Sequence, residues 1–157
     1  MARAPFQVLV FPFVRAAGGV RYAVFRRADA AEECWQGIAG GGEEGESPAA
    51  AARREAWEEA GIGPDRPLFA LDSRCTIPVV AVAGLLWGPE VLVIPEHAFG
   101  VELDSESVRI SREHTEVRWA GYDEAAALLR WDSNRAALWE LDHRIRHGLL
   151  AELASGG

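Results

Sequence analysis

Apolar side chains crowd residues 6–14, where only Gln7 and Pro12 interrupt a run of Phe, Val and Leu, so the stretch reads as a buried strand. Ala17, Gly18 and Gly19 supply a turn, and residues 20–26 read as the returning strand of a hairpin. A polar loop follows, then a Gly-rich segment over residues 37–42 and an acidic turn through Glu46, all taken as connecting chain. Residues 48–60 read as a helix. Ser47 offers a side-chain acceptor to first-turn amides, Pro48 suits the first helical position, residues 49–52 are all Ala, and Gly61 is placed to close the helix. Further strands are expected at residues 68–75, 90–99 and 115–119, with Gly88 and Pro89 as a turn before the second. Helices are expected at residues 123–129 and 133–147, the latter capped by Ser133 and carrying Ala137, Leu138, Leu141 and Ile145 on one face. With no repeat or linker in view, the pattern describes one α+β domain spanning residues 1–157, and residues 154–157 are expected to fray.

The net charge of −8 turns the surface away from long nucleic-acid polymers, whose phosphates call for a basic face. A small polyphosphate stays compatible with that charge if divalent cations offset the repulsion. The two cysteines, Cys34 and Cys75, lack metal-site spacing, and the longest apolar stretch, residues 77–87, is broken by Pro78 and Gly84. Reduced thiols, a cytoplasmic setting and no membrane partner are the expectations that follow.

The chemistry gathers on the helix at residues 48–60. Glu55, Glu58 and Glu59 stand three and four residues apart and share one face. Like charges at that spacing oppose helix formation, and two of them fall in the last turn, where the macrodipole already disfavours negative charge. A solvated acidic face paired in part with Arg53 and Arg54 is the bland explanation. A hard divalent cation, which needs oxygen ligands, is the chemical one.

The surroundings favour the second. The run Gly40-x5-Glu46-x7-Arg54-Glu55-Ala56-x-Glu58-Glu59-x-Gly61-Ile62 resembles the Nudix box, G-x5-E-x7-R-E-U-x-E-E-x-G-U, over residues 40–62. Every fixed polar and glycine position agrees, and Ala56 alone departs, standing where the family has a bulky aliphatic residue. The resemblance implies a Nudix fold, a mixed β-sheet sandwiched between helices in an α/β/α arrangement. It implies a hydrolase of phosphoanhydrides that depends on Mg²⁺ or Mn²⁺. Glu55, Glu58 and Glu59 match the metal-binding carboxylates, Glu46 an outer carboxylate, Arg54 a residue orienting Glu55, and Gly40 a close backbone turn beside the site; Glu55 and Arg54 are thereby also catalytic candidates and Gly40 a substrate-binding one.

Beyond the box, residues 34–40 resemble the W-Q-x-x-x-G run of many Nudix proteins, with Trp35 offering a face for a base or pterin ring. Arg112-Glu113-His114-x-x-x-x-Trp119 is similar to an E-H-x-x-x-x-W segment of several subfamilies. That similarity nominates Glu113 as a further catalytic and metal-binding carboxylate, with Glu116 as the neighbouring alternative and His114 beside it. Trp131-Asp132-Ser133-Asn134-Arg135 resembles the W-S-N-R stretch of dihydroneopterin triphosphate pyrophosphohydrolases, which marks Asn134 and Arg135 as substrate-binding candidates. Trp87, Trp119 and Trp139 are read as core, and His97, His143 and His147 as structural or surface. The implied partner is a small-molecule nucleoside- or pterin-linked polyphosphate. Dinucleoside polyphosphate hydrolysis and a noncatalytic nucleotide sensor are the alternatives, and a homodimer stays open because such domains pair through their strands.

Overall fold

The computed structural model describes residues 2–154, and of the expected frayed tail residues 155–157 lie outside that range. In chain order it holds β1 (Arg3–Ala16), β2 (Gly19–Arg27), β3 (Trp35–Gln36), β4 (Ile38–Glu43), α1 (Pro48–Ala60), β5 (Leu68–Pro78), a 3₁₀ turn (Val79–Ala81), β6 (Val93–Glu102), β7 (His114–Ala120), α2 (Tyr122–Leu128) and α3 (Asp132–His147). The strands form one mixed sheet. β1 runs parallel to β6 along one edge, and its other edge pairs antiparallel first with β4 and then with β2. β5 flanks β6, β7 flanks β2, and β3 continues on the β2 edge that faces β1. β1 and β2 therefore diverge, and β3 and β4 fill the fork between them, one on each side of Gly37.

Alternation along β1 builds both cores. Leu9, Phe11 and Phe13 join Tyr22, Val24, Leu138 and Leu141 under α2 and α3, whereas Val8, Val10 and Val14 join Phe25, Ile38 and the Ala51, Ala52, Ala56 and Ala60 face of α1. Ala56 is thus buried against strand side chains, and the alanine stripe lets α1 sit close to the sheet. Trp57, on the opposite side, is 52% exposed under the Arg109 guanidinium. The α1 caps follow the sequence pattern: Ser47 Oγ accepts from the Ala50 amide at 3.1 Å, and Gly61 closes the helix at φ 67°, the left-handed conformation that glycine adopts freely.

Four expectations need correction. Residues 38–43 form strand β4 and not a loop, because their glycines face bulky neighbours: a Cβ at Gly41 would meet the Arg3 guanidinium at 2.2 Å, and one at Gly42 the Phe6 ring at 2.0 Å. β6 begins at Val93, three residues after the expected start, and β5 continues to Pro78, since the two pair as far as Pro78–Val93. Ser133 does not cap α3, which starts one residue earlier with Trp131 at the cap position and no side-chain capping bond. Trp139 is 55% exposed and stacks on His143 at 5.1 Å instead of entering the core. Trp87 and Trp119 are half-buried, Trp119 against the α1-side core. Among the described residues no helix is long and apolar enough to cross a membrane.

Candidate metal and catalytic site

β4 and α1 meet edge to face, and Gly40 is where they touch. A Cβ on Gly40 would lie 2.1 Å from the Glu55 carboxyl carbon, so the absence of a side chain is what lets Glu55 lie flat on the strand. Gly40 pairs with Val8 within β4 and turns nowhere, which replaces the expected close turn with a requirement for space.

Arg54 gathers the loop and the helix. Its Nε and Nη2 donate to the two Glu46 oxygens at 2.7 and 3.0 Å, Nη1 donates to Glu55 at 2.9 Å and to Glu58 at 3.2 Å, and Nη2 also donates to the Gly41 carbonyl at 2.8 Å. Glu46 further accepts from the Glu43 amide at 2.9 Å. The guanidinium fork suits such parallel carboxylate contacts. Hydrogen bonding by Arg54 holds the Glu46 carboxyl below its ordinary range. Burial raises the Glu55 carboxyl from 4.5 to about 7, with repulsion from Glu58 and Glu113 adding to it and Arg54 opposing it.

One turn further, Glu59 is buried beside the loop that leads into β7. Ser111 Oγ donates to its Oε2 at 3.0 Å, and the Glu113 carboxylate acts on it as a neighbouring like charge. Burial first, and Glu113 second, raise Glu59 to about 7. The loop is pinned to the helix by the Ser111 amide on the Glu59 carbonyl and the Arg109 amide on the Ala60 carbonyl, at 3.1 and 2.9 Å. His114 Nδ1 sits 3.4 Å from Glu59 Oε2, buried and without a hydrogen-bond partner, and burial lowers the imidazole pKa, so the two form no ion pair at neutral pH. The Glu113 carbonyl accepts from the Ala28 amide at 2.9 Å, tying this corner to the end of β2.

The structure thus brings Glu46, Arg54, Glu55, Glu58, Glu59 and Glu113 to one face of α1 and its flanking loops. Glu116 lies further along β7 and pairs with Arg118. Among the described residues no three acidic, His or Cys side chains already converge on a point as a formed metal cage. The donor set nonetheless fits a hard cation: carboxylate oxygens predominate, two of the acids are buried with strained ionisation, and a single guanidinium offsets them. Glu58 is half exposed and accepts from Arg54 at 3.2 Å.

The expected substrate residues take structural places. Trp35 is 2% exposed, with Nε1 donating to Glu33 at 2.8 Å and the Arg118 guanidinium 4.9 Å above its ring, so its face is closed to a stacking heterocycle. Asn134 is buried and accepts the Gly37 amide on Oδ1 at 2.9 Å, bridging α3 to the break between β3 and β4. Arg135 donates to the Leu129 carbonyl at 2.6 Å and pairs with Asp132, closing the α2–α3 connection. Sequence reasoning missed Ser111, whose hydroxyl supports Glu59, and the Gly41 carbonyl, which anchors Arg54. No spacing rule marks either, because a lone Ser and a main-chain oxygen carry no sequence signal.

A family model described as NUDIX domain matches residues 6–140. The asymmetrical bis(5'-nucleosyl)-tetraphosphatase of Sus scrofa is 37% identical over 106 residues, covering 68% of this chain and 68% of its own. An RNA pyrophosphohydrolase of Cereibacter sphaeroides is 31% identical over 112 residues, covering 66% and 69%. Among solved structures, a Listeria monocytogenes protein given as a candidate NUDIX hydrolase superposes with TM-score 0.87 at 38% identity, covering 96% of this chain and 100% of its own. The E. coli dihydroneopterin triphosphate pyrophosphohydrolase superposes with TM-score 0.74 at 25% identity, covering 92% and 99%.

Proposed function

Because this chain belongs to the Nudix hydrolase family, we propose that it is a divalent-metal-dependent pyrophosphohydrolase acting on a small nucleoside- or pterin-linked polyphosphate, with Glu55, Glu58, Glu59 and Glu113 holding the metal. The observation that carries this reading is the Arg54 clasp, which holds Glu46, Glu55 and Glu58 together, with the Glu55 carboxyl lying in the room that Gly40 leaves by having no side chain. Bound Mg²⁺ or Mn²⁺ would supply charge neutralisation of the phosphate oxygens and Lewis acidity. Arg54 fixes the orientation of Glu55 and Glu46, and Ser111 fixes that of Glu59. Water attacks phosphorus, the P–O bond to the leaving phosphate breaks, and the proton released by water passes to a carboxylate. In the metal-free chain burial raises both Glu55 and Glu59 to about 7, and a bound divalent cation would favour their ionised forms.

A second reading, cleavage of a dinucleoside polyphosphate, is favoured by the 37% identity to the porcine tetraphosphatase. A cytoplasmic setting accords with both readings, as Cys34 and Cys75 are free thiols. The test is phosphate and pyrophosphate release from a panel of nucleoside triphosphates, dinucleoside polyphosphates and dihydroneopterin triphosphate, with Mg²⁺, with Mn²⁺ and with chelator. Chelator-sensitive turnover that falls at least about a hundredfold in Glu58→Gln or Glu59→Gln is expected. Full activity in both variants would overturn the assignment of these carboxylates.

A further inference from the structure

On the opposite face of the sheet from Glu55, Gly41 of β4, Gln7 of β1, Glu96 of β6 and Cys75 of β5 stand side by side in one transverse row. They share the face of Leu9 and Ala98, the α3 side. Strands lie about 4.8 Å apart, so Glu96 is roughly 10 Å from Gly41, the residue next to the one that cradles Glu55. Among the described strands β4 pairs with β1 alone, and at Gly41 it carries Arg54, whose Nη2 donates to the Gly41 carbonyl at 2.8 Å, so the clasp that holds Glu46, Glu55 and Glu58 ends two strands from Glu96.

Glu96 is the unusual member of that row. It is 7% exposed, among the described residues no cation pairs with it, and Ser133 borders a small cavity with it. Arg74, which borders the same cavity, donates Nη1 to the Leu71 and Ser73 carbonyls. Gln7 has its oxygen taken by Arg3 at 2.7 Å, leaving the amide nitrogen. The carboxyl borders a cavity of about 30 Å³ formed with Leu9, Ser73, Arg74, Cys75 and Ser133. Such a volume has room for about one water, so it admits the edge of a ring and not the ring itself. A buried acid of this kind is costly unless donors meet it, and burial raises its carboxyl above the ordinary range.

We propose that Glu96 reads the heterocycle of the substrate, accepting two hydrogen bonds from an edge that presents a ring N–H beside an exocyclic amino group. Guanine and pterin share that 2-amino-4-oxo edge. Adenine presents a ring acceptor beside its amino group, which would set a lone pair against a carboxylate oxygen. The inference rests on the hydrolase reading for the position of the phosphates, but its recognition step does not require turnover.

Binding and turnover are therefore measured separately. With chelator present, calorimetric titration of the intact protein with GTP, dihydroneopterin triphosphate and ATP should give at least tenfold tighter binding to one of the first two than to ATP, about the value of one or two charged hydrogen bonds. A preference for GTP identifies guanine as the base, and one for the pterin identifies pterin. Glu96→Gln, checked for folding by circular dichroism, should lower the ratio of affinities for the preferred ligand over ATP at least tenfold, and the ratio of kcat/KM with Mg²⁺ in step. Glu96→Ala serves as the second variant. A wild-type preference for ATP, or ratios unmoved in both variants, would overturn the proposal. Wild-type protein that shows the binding preference, loses it in the variants and yet turns over none of the three ligands would count against the hydrolase reading and leave recognition by Glu96 standing.

Discussion

Replacing Glu55 with Gln should stabilise the metal-free protein at pH 8. Glu55 is 8% exposed and ionises near 7 in the folded chain against an ordinary 4.5. That difference corresponds to roughly 3 kcal/mol, at about 1.4 kcal/mol for each pH unit. The sign follows from which state holds the proton more tightly. Below about 4.5 the carboxyl is protonated whether folded or not, and wild type and variant should be alike in this respect. Between 4.5 and about 7 the unfolded chain ionises while the folded chain resists, so wild-type stability falls relative to the variant, and the deficit is complete above 7. Gln keeps an oxygen to accept the 2.9 Å hydrogen bond from Arg54 but gives up its charge assistance, so the gain is expected at about 1–2 kcal/mol and not 3. Urea unfolding followed by tryptophan fluorescence, at pH 5 and pH 8 with chelator, reads the difference directly. Added Mg²⁺ or Mn²⁺ should reverse the order at pH 8, because only wild type retains the full ligand set. A variant equally destabilised at both pH values would refute the reasoning and make Glu55 a structural partner of Arg54 alone.

Gly40→Ala should cost at least tenfold in turnover and about 1–3 kcal/mol in stability, as the new methyl must push the Glu55 carboxyl from a 2.1 Å overlap; steady-state kinetics with urea midpoints checks both. Arg54→Lys keeps the charge but loses the fork that reaches Glu46, Glu55, Glu58 and Gly41, so kcat should fall at least tenfold while the variant stays folded. Asn134→Ala leaves the buried Gly37 amide unpaired and should lower stability by about 1–3 kcal/mol with no selective effect on any one substrate; a stable variant with a substrate-specific rise in KM would instead restore Asn134 to substrate binding.

The legible parts of this fold were those where side chains carry the instruction. Ser47, Pro48, the alanine run and Gly61 mark both ends of α1, and the family spacing collects its acids along with Glu46. The illegible parts were governed by what side chains meet from elsewhere. Three consecutive glycines at 40–42 look like loop, yet they form a strand because Glu55, Arg3 and Phe6 press on them from other elements. Trp35 looks like a platform beside the box, yet its face is covered by Arg118 from β7, a residue 83 positions away. Asn134 and Arg135 carry the polar chemistry of a binding motif and spend it on Gly37 and Leu129. Glu96 drew no notice in a segment without a motif, since its isolation from cations is a property of the packed sheet alone.

The parity of β1 sets where this chain can change length. Odd positions from Leu9 to Phe13 and even positions from Val8 to Val14 serve two separate cores, and β1 touches three other strands along both edges. Deleting one residue inside β1 would exchange the two sets at once, placing each in a cavity shaped for the other. The segment at residues 79–92 is bound by no such parity. It meets β1 through two tethers, Arg3 to the Val82 carbonyl and Trp87 to the Arg3 carbonyl, and it exposes Val80, Leu85, Leu86 and Leu92. Insertions and losses during divergence should therefore accumulate there, while β1 varies in composition at constant length.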